Sequence, residues 1–297
     1  MATESDPASG LVVVDKPGGL TSHAVVGRVR RLAGTRKVGH AGTLDPMATG
    51  VLLLGVNRAT RLLGHLMLTE KAYDATVRLG AGSSTDDAEG DLGPSASTVH
   101  LTEDDVRSAA GAFVGQLMQV PSAVSAIKVD GRRAYERVRA GERVELAARE
   151  VTVHELLVTD VRRDGDWLDV DVSARCSSGT FIRAIARDLG AELGVGGHLT
   201  VLRRTAVGPF TLEDARTLDE LDGEFRMLDV SEAARRCFPT YDLDLDGARD
   251  VSFGRPLAVD LGAGGNEPVA VFAPGGAFLA LYRQDGGLAT AVAVFTS

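Results

Sequence analysis

Two kinds of apolar pattern alternate along this chain. Residues 11–15 (LVVVD) and 51–56 (VLLLGV) are unbroken apolar runs of strand length, the pattern of strands covered on both faces. Residues 73–79 alternate instead, with Tyr73, Ala75, Val77 and Leu79 on one face, and predict a strand half open to polar surroundings. Between the first two runs, Val25, Val26, Val29 and Leu32 recur at helical spacing, with Ser22 as candidate N-cap and Gly34 as stop. A short apolar helix is predicted over 59–68, and a long exposed loop over the Ser-, Asp- and Gly-rich residues 81–100. Thr102 and Asp105 form a capping box for a helix running to Phe113. Residues 151–163 and 167–175 predict paired strands joined at Asp164-Gly165, followed by a helix over 180–193 and a strand over 198–207.

Beyond about Asp242 the pattern changes to short strands (VAVFA, FLALYR, LATAVAVF) between Gly-rich turns, with no helix. The order of elements is neither regular βαβ nor all-β. It predicts an α+β main domain, residues 1–240, built on a mixed, largely antiparallel sheet, and a small all-β module, residues 241–297. No internal repeat is present.

Composition narrows the class. Of 297 residues, 44% are apolar and 25% charged, the balance of a globular protein with a core. No apolar run is long enough for a membrane helix, and MATESDPASG lacks the features of a secretory signal. Cys176 and Cys237 stand alone, as buried thiols of a cytoplasmic protein would, and neither they nor the six histidines have metal-ligand spacing, so no metal is expected. The net charge of −9 argues against a nucleic-acid partner until its distribution is considered. Residues 16–69 carry eight cations (Lys16, Arg28, Arg30, Arg31, Arg36, Lys37, Arg58, Arg61) and one acid, Asp45. A second basic stretch holds Lys128, Arg132, Arg133, Arg137, Arg139 and Arg143. A phosphate backbone responds to the local field, so this segregation is compatible with RNA, and equally with solvated helix faces.

The loop 39–50 (GHAGTLDPMATG) is the stretch richest in candidate chemistry. Its glycines allow close approach of a ligand, and Pro46 holds Asp45 in extended geometry. A carboxylate held there in a basic field is expected to keep a low pKa and be available as a nucleophile. Asp-Pro is also a common turn signal. No second acid accompanies it, as glycoside hydrolysis would require. The residues by themselves do not define the reaction.

The loop GHAGTLDPMATGVL resembles the signature of the TruB-type tRNA pseudouridine-55 synthases, and other stretches follow in that family's order. They are VVDKPGGLTSH near the start, KAYDATVRLG at 71–80, QVPSAVSAIKVDGRRAYERVRAGE at 119–142, SSGTFIRAIARDLG at 177–190 and HLTVLRRTAVGPF at 198–210. The resemblance covers residues 11–240, and the tail is similar to a reduced PUA-like RNA-binding module. It implies a pseudouridine-synthase fold and isomerisation of uridine 55 in the tRNA T arm without a cofactor. The short tail points to a stand-alone enzyme without guide RNA or protein partner, and with no heptad or large exposed apolar helix the chain is expected to be a monomer. Asp45 would attack the flipped uridine at ribose C1′ or base C6. Tyr73 would stack on the base, Arg183 would pair with the nucleophile, His40 would contact the T loop, and Leu202 would pack against the base. Phe181 stands where the family usually has tyrosine, so it supplies an aromatic wall without a hydroxyl. A guide-dependent relative and a tRNA-folding chaperone remain as alternatives.

Overall fold

The computed structural model describes residues 8–123, 146–263 and 267–296, and the backbone of 128–129 and 132–133. In chain order the elements are β1 (Gly10–Lys16), α1 (Ser22–Leu32), β2 (Val38–Ala41), β3 (Thr49–Val56), a 3-10 turn (Asn57–Arg61) leading into α2 (Leu63–Leu66), β4 (Lys71–Leu79), α3 (Glu103–Gly111) and β5 (Gly115–Gln119). There follow β6 (Lys128–Val129), β7 (Arg132–Arg133), β8 (Arg149–Asp164), β9 (Trp167–Cys176), α4 (Ile182–Glu192), β10 (Gly197–Val207), β11 (Phe210–Thr211), α5 (Leu218–Gly223), β12 (Leu228–Asp229) and α6 (Val230–Cys237). The chain ends in β13 (Thr240–Asp242), α7 (Leu245–Ser252), β14 (Val269–Phe272), β15 (Phe278–Asp285) and β16 (Leu288–Val294).

The main sheet runs β12-β1-β3-β10-β4-β9-β8-β5, with β2 added on β3 and β11 on β10. Its pairs are antiparallel except β3 with β10, which makes the sheet mixed and largely antiparallel as expected. The unbroken apolar runs lie where both faces are covered. Val12, Val14, Leu52 and Leu54 pack with Val25, Val26 and Val29 of α1. Leu11, Val13, Val51 and Leu53 face Phe272, Phe278, Leu281 and Phe295 of the C-terminal sheet.

Strand β3 is where the sheet divides. Its first residues pair with β10 (Thr49 with Arg203, Gly50 with Arg204), and its second half pairs with β2, from Leu53 with Ala41 to Val56 with Val38. The loop 42–48 leaves the sheet at this fork. Close contact there requires Gly50: its φ is +97°, and a Cβ would lie 2.1 Å from the Arg204 carbonyl oxygen.

Three expectations are corrected. Thr21, not Ser22, caps α1, accepting from the Ala24 amide at 3.1 Å, while the Ser22 hydroxyl turns inward to the loop 42–48. The stretch 81–100 is not uniformly exposed: Asp86, Asp87 and Thr98 are buried in it. The tail contains a helix, α7, capped by the Asp244 side chain on the Gly247 amide at 2.7 Å. A single two-turn helix of mixed composition gives too short a period to stand out among Gly-rich turns. Cys176 is buried and Cys237 half-buried, and neither is in a disulfide.

The four-stranded C-terminal sheet, β13-β14-β15-β16, is anchored to the main sheet by charge as well as by apolar packing. Arg58 and Arg61 donate to the carbonyls of Phe295 and Val294 at 3.1 and 2.9 Å. Removing residues from 243 onward exposes the lower face of β1 and β3. Truncation should lower the melting temperature by more than about 10 °C, the size expected when several kcal/mol of burial are lost from a domain of this length. Calorimetry of the truncated protein checks this; an unchanged transition would show that the tail is an independent appendage.

Candidate active site

The fork in the sheet presents Asp45 between two anchored neighbours. The Ser22 hydroxyl donates to the Leu44 carbonyl at 3.0 Å and accepts from the Leu44 amide at 2.9 Å. On the other side, the Pro46 carbonyl accepts from the Gly19 amide at 2.8 Å and from Lys16 Nζ at 3.2 Å. Lys16 is fully buried and also donates to the carbonyls of Pro17 and Leu20. The KPGG turn and the Asp45 loop therefore meet on one ammonium. Burial lowers the Lys16 pKa to about 8, Asp45 opposing the shift and Arg204 adding to it.

Helix α4 brings Arg183, only 4% exposed, against this loop. Its Nη2 lies 3.0 Å from Asp45 Oδ2, and its Nη1 lies 3.1 Å from Asp87 Oδ2 and donates to the Thr85 carbonyl at 2.9 Å. One guanidinium thus bridges two carboxylates. Asp87 is held in turn by the Thr85 hydroxyl and the Glu89 amide, both donating to its Oδ1. The expected low pKa of Asp45 is corrected: burial pushes it above the ordinary carboxylate range, and Asp87 adds to the rise, while Arg183 and Lys16 pull it down. The expectation that no second acid accompanies Asp45 is corrected with it, because the fold carries Asp87 in from a distant loop.

A pocket of about 390 Å³ opens beside Asp45, lined among others by Tyr73, Phe181, Arg183 and Leu202. That size suits one nucleotide base with part of its ribose. Tyr73 and Leu202 come from the neighbouring strands β4 and β10, and Phe181 immediately precedes α4. Tyr73 pairs in register with Arg204; burial raises the Tyr73 pKa, and the Arg204 charge opposes the rise. Arg204 is 1% exposed and donates to the carbonyls of Val51 and Gly42 at 2.7 and 3.1 Å. Lys71, two residues before Tyr73 on the same strand face, also lines the pocket and donates to the Met67 and Thr69 carbonyls at 3.0 and 2.9 Å. Burial lowers its pKa to about 8, with Arg204 contributing.

Five of the six residues singled out from sequence therefore line one pocket. His40 does not. It sits on β2 before the loop, its ring edge-on to His23 at 5.6 Å. Asp87, Lys71, Arg204 and the buried Gln119 were missed. A signal existed for Lys71, which shares the inward face of β4 with Tyr73. None existed for Asp87, whose Ser-, Asp- and Gly-rich context is that of a solvated loop.

The basic stretch 16–69 is largely committed within the protein. Besides Lys16, Arg58 and Arg61, Arg28 pairs with Asp222 and Arg30 donates to the Val38 carbonyl. Arg31, Arg36 and Lys37 are exposed. The second basic stretch lies outside the residues whose side chains are described, as does most of the motif at 119–142. Among the described residues, no helix is long and apolar enough to cross a membrane. Nor is any cluster of three or more His, Cys, Asp or Glu side chains placed to hold a metal.

An acid on a sheet-fork loop, an arginine from α4 and a tyrosine on β4 sit in the fold of the pseudouridine synthases. A chain of an H/ACA ribonucleoprotein bound to a substrate RNA containing 2'-deoxyuridine superposes with a TM-score of 0.72, covering 97% of this chain and 85% of that one; at 24% identity the likeness speaks for the fold. Residues 30–182 match the TruB family pseudouridylate synthase N-terminal domain, 183–238 the tRNA pseudouridylate synthase B C-terminal domain, and 238–296 the tRNA pseudouridine synthase II C-terminal domain. The tRNA pseudouridine synthase B of Arthrobacter sp. (strain FB24) is 59% identical over 97% of this chain and 96% of its own length. That of Thermobifida fusca (strain YX) is 57% identical over 97% and 99%. The chain belongs to the TruB family of pseudouridylate synthases, and so to the isomerases.

Proposed function

We propose that the protein converts uridine 55 of the tRNA T arm to pseudouridine, with Asp45 as nucleophile, acting as a stand-alone cytoplasmic monomer without guide RNA. The observation that carries the reading is the ion pair of Arg183 Nη2 with Asp45, at 3.0 Å, beside a base-sized pocket. The reaction breaks the N1–C1′ bond and makes a C5–C1′ bond; C5 loses a proton and N1 gains one. A covalent adduct through Asp45, at C1′ or at C6, retains the sugar or the base while the base turns. Arg183 keeps the carboxylate ionised against its burial and directs it. A uridine inside a helix cannot reach Asp45, so the base must leave its stack, and Tyr73, Phe181 and Leu202 offer apolar and aromatic surface to receive it. His40, on the strand entering the loop and outside the pocket, is assigned contact with the T loop rather than with the base. Every atom of the product comes from the uridine, the proton lost at C5 being balanced by one gained at N1, so the step calls on no external oxidant, reductant or group donor.

The test is chemical mapping of pseudouridine in an unmodified tRNA transcript after incubation with the purified protein. A carbodiimide-dependent primer-extension stop at position 55, and at no other uridine, is the expected result. A stop elsewhere would reassign the substrate.

Binding should weaken with salt, but less steeply than eight cations would suggest. Arg31, Arg36 and Lys37 are exposed, as are Arg30 and Arg61, which already donate to backbone carbonyls; we assign the first three to phosphates, and each neutralised phosphate contributes a slope of roughly −0.7 in single-stranded-type sites. Replacing all three with glutamine should flatten the plot of log affinity against log salt by about 2. An unchanged slope would show that these cations face solvent in the complex.

A further inference from the structure

Gln119 closes β5, and its carboxamide is buried, with 4% of the residue exposed. It makes a two-point pairing with the Phe181 peptide group. Gln119 Nε2 donates to the Phe181 carbonyl at 3.0 Å, and the Phe181 amide donates to Gln119 Oε1 at 2.8 Å. A glutamine side chain here imitates a neighbouring strand.

The location of that pairing matters. Phe181 is the N-cap of α4, and its own side chain cannot cap the helix. Its carbonyl also accepts from the Ala184 and Ile185 amides at 3.1 and 3.2 Å, so Gln119 grips the atom on which the helix starts. Two residues later stands Arg183, whose guanidinium must reach Asp45 and Asp87 together. One turn further, Arg187 donates to the Val120 carbonyl at 2.9 Å, tying the same strand end to the same helix a second time. Gln119 is the tie nearer the pocket: it holds the backbone of the pocket-lining Phe181 without itself lining the pocket.

We propose that Gln119 is a positioning residue: by fixing the first turn of α4 it holds Arg183 at the distance that keeps Asp45 ionised. This rests on the assignment of Asp45 as nucleophile, yet its physical content, control of the Asp45 charge, stands apart from turnover. Losing both hydrogen bonds leaves the half-buried Phe181 amide without its acceptor, and the helix start relaxes to find another. Asp45 is faced by Arg183, Lys16 and Asp87, with Lys71 and Arg204 across the pocket. Moving Arg183 away removes the strongest of the pulls that oppose burial, so Asp45 should protonate at higher pH.

The experiment is a titration of the Asp45 carboxyl by NMR in protein labelled with ¹³C-aspartate, assigned against Asp45→Asn, in the full-length wild type and in Gln119→Met. Gln119→Met keeps the volume and loses both bonds. The Asp45 titration should move up by about one pH unit, a tenfold change in the ionised fraction below the midpoint. The acidic limb of the single-turnover pH–rate profile should move with it, and binding of the T-arm stem-loop should stay within about twofold, since no phosphate contact is altered. Gln119→Asn, one methylene shorter, can keep one bond and should fall between; it carries the test if circular dichroism shows Gln119→Met unfolded. An unmoved Asp45 titration in a folded variant overturns the proposal, whatever happens to the rate. A moved titration with no turnover by the wild type would leave the positioning role standing and reject the nucleophile assignment.

Discussion

Asp45→Asn is expected to abolish pseudouridine formation, lowering the single-turnover rate by at least about four orders of magnitude, while tRNA affinity stays within about threefold of wild type. The amide is isosteric but has no lone pair basic enough to form the adduct. It also keeps one oxygen that can accept from Arg183, so the loop, anchored at Leu44 and Pro46, should hold its shape. Removing a charge whose pKa is already raised by burial should not destabilise the fold, and a slight gain in melting temperature is expected at neutral pH. The sign follows from the shift: a group that binds its proton more tightly when folded opposes folding once the pH exceeds its unfolded pKa. Single-turnover conversion of a stem-loop with the mutant in excess checks the rate, and filter binding checks the affinity. Turnover within about tenfold of wild type would remove Asp45 from the chemistry.

Arg183→Lys should be the second most damaging change, costing about two orders of magnitude in single-turnover rate although the charge is kept. The guanidinium reaches Asp45 with one nitrogen and Asp87 with another, at 3.0 and 3.1 Å, and an ammonium cannot span both. With the bridge broken, a half-buried and a buried carboxylate face each other and the Asp45 pKa rises further. The acidic limb of the pH–rate profile should therefore move to higher pH, the activity being lost as pH falls through the raised pKa. Asp87→Asn separates the two contributions. It removes a charge that raises the Asp45 pKa, but it also frees Arg183 from its anchor, so the limb should move down while the plateau falls. Superimposable pH–rate profiles for wild type and Arg183→Lys would show that Arg183 neither orients nor ionises the nucleophile.

Much of the fold was legible because its strands and helices have strong local periods. The covered runs of β1 and β3, the alternation of β4 and the Thr102–Asp105 capping box each appear where expected. The site was legible where it follows contiguous motifs, and most of its named residues converge on one pocket. What could not be seen from sequence is held together by distant contacts. Asp87 and Arg183 are 96 residues apart and Gln119 and Phe181 are 62 apart, pairings that no periodicity reports. Cations were misjudged for the same reason: Lys16 and Arg61 look like phosphate ligands in a list of charges but donate to backbone carbonyls. Whether a charged side chain faces water or a carbonyl is decided by which strands become neighbours, and the fork between β2, β3 and β10 decides it here.

The most direct test of the central claim uses a full-length tRNA transcript ligated so that the uridine at position 55 alone carries tritium at C5. Forming the C5–C1′ bond expels that hydrogen, so released tritium counts completed isomerisations at the one site. Wild-type protein should release one equivalent per tRNA with no added cofactor or guide RNA, and Asp45→Asn should release none above background. Retention of the tritium by the wild type, or release by both proteins alike, would contradict the account.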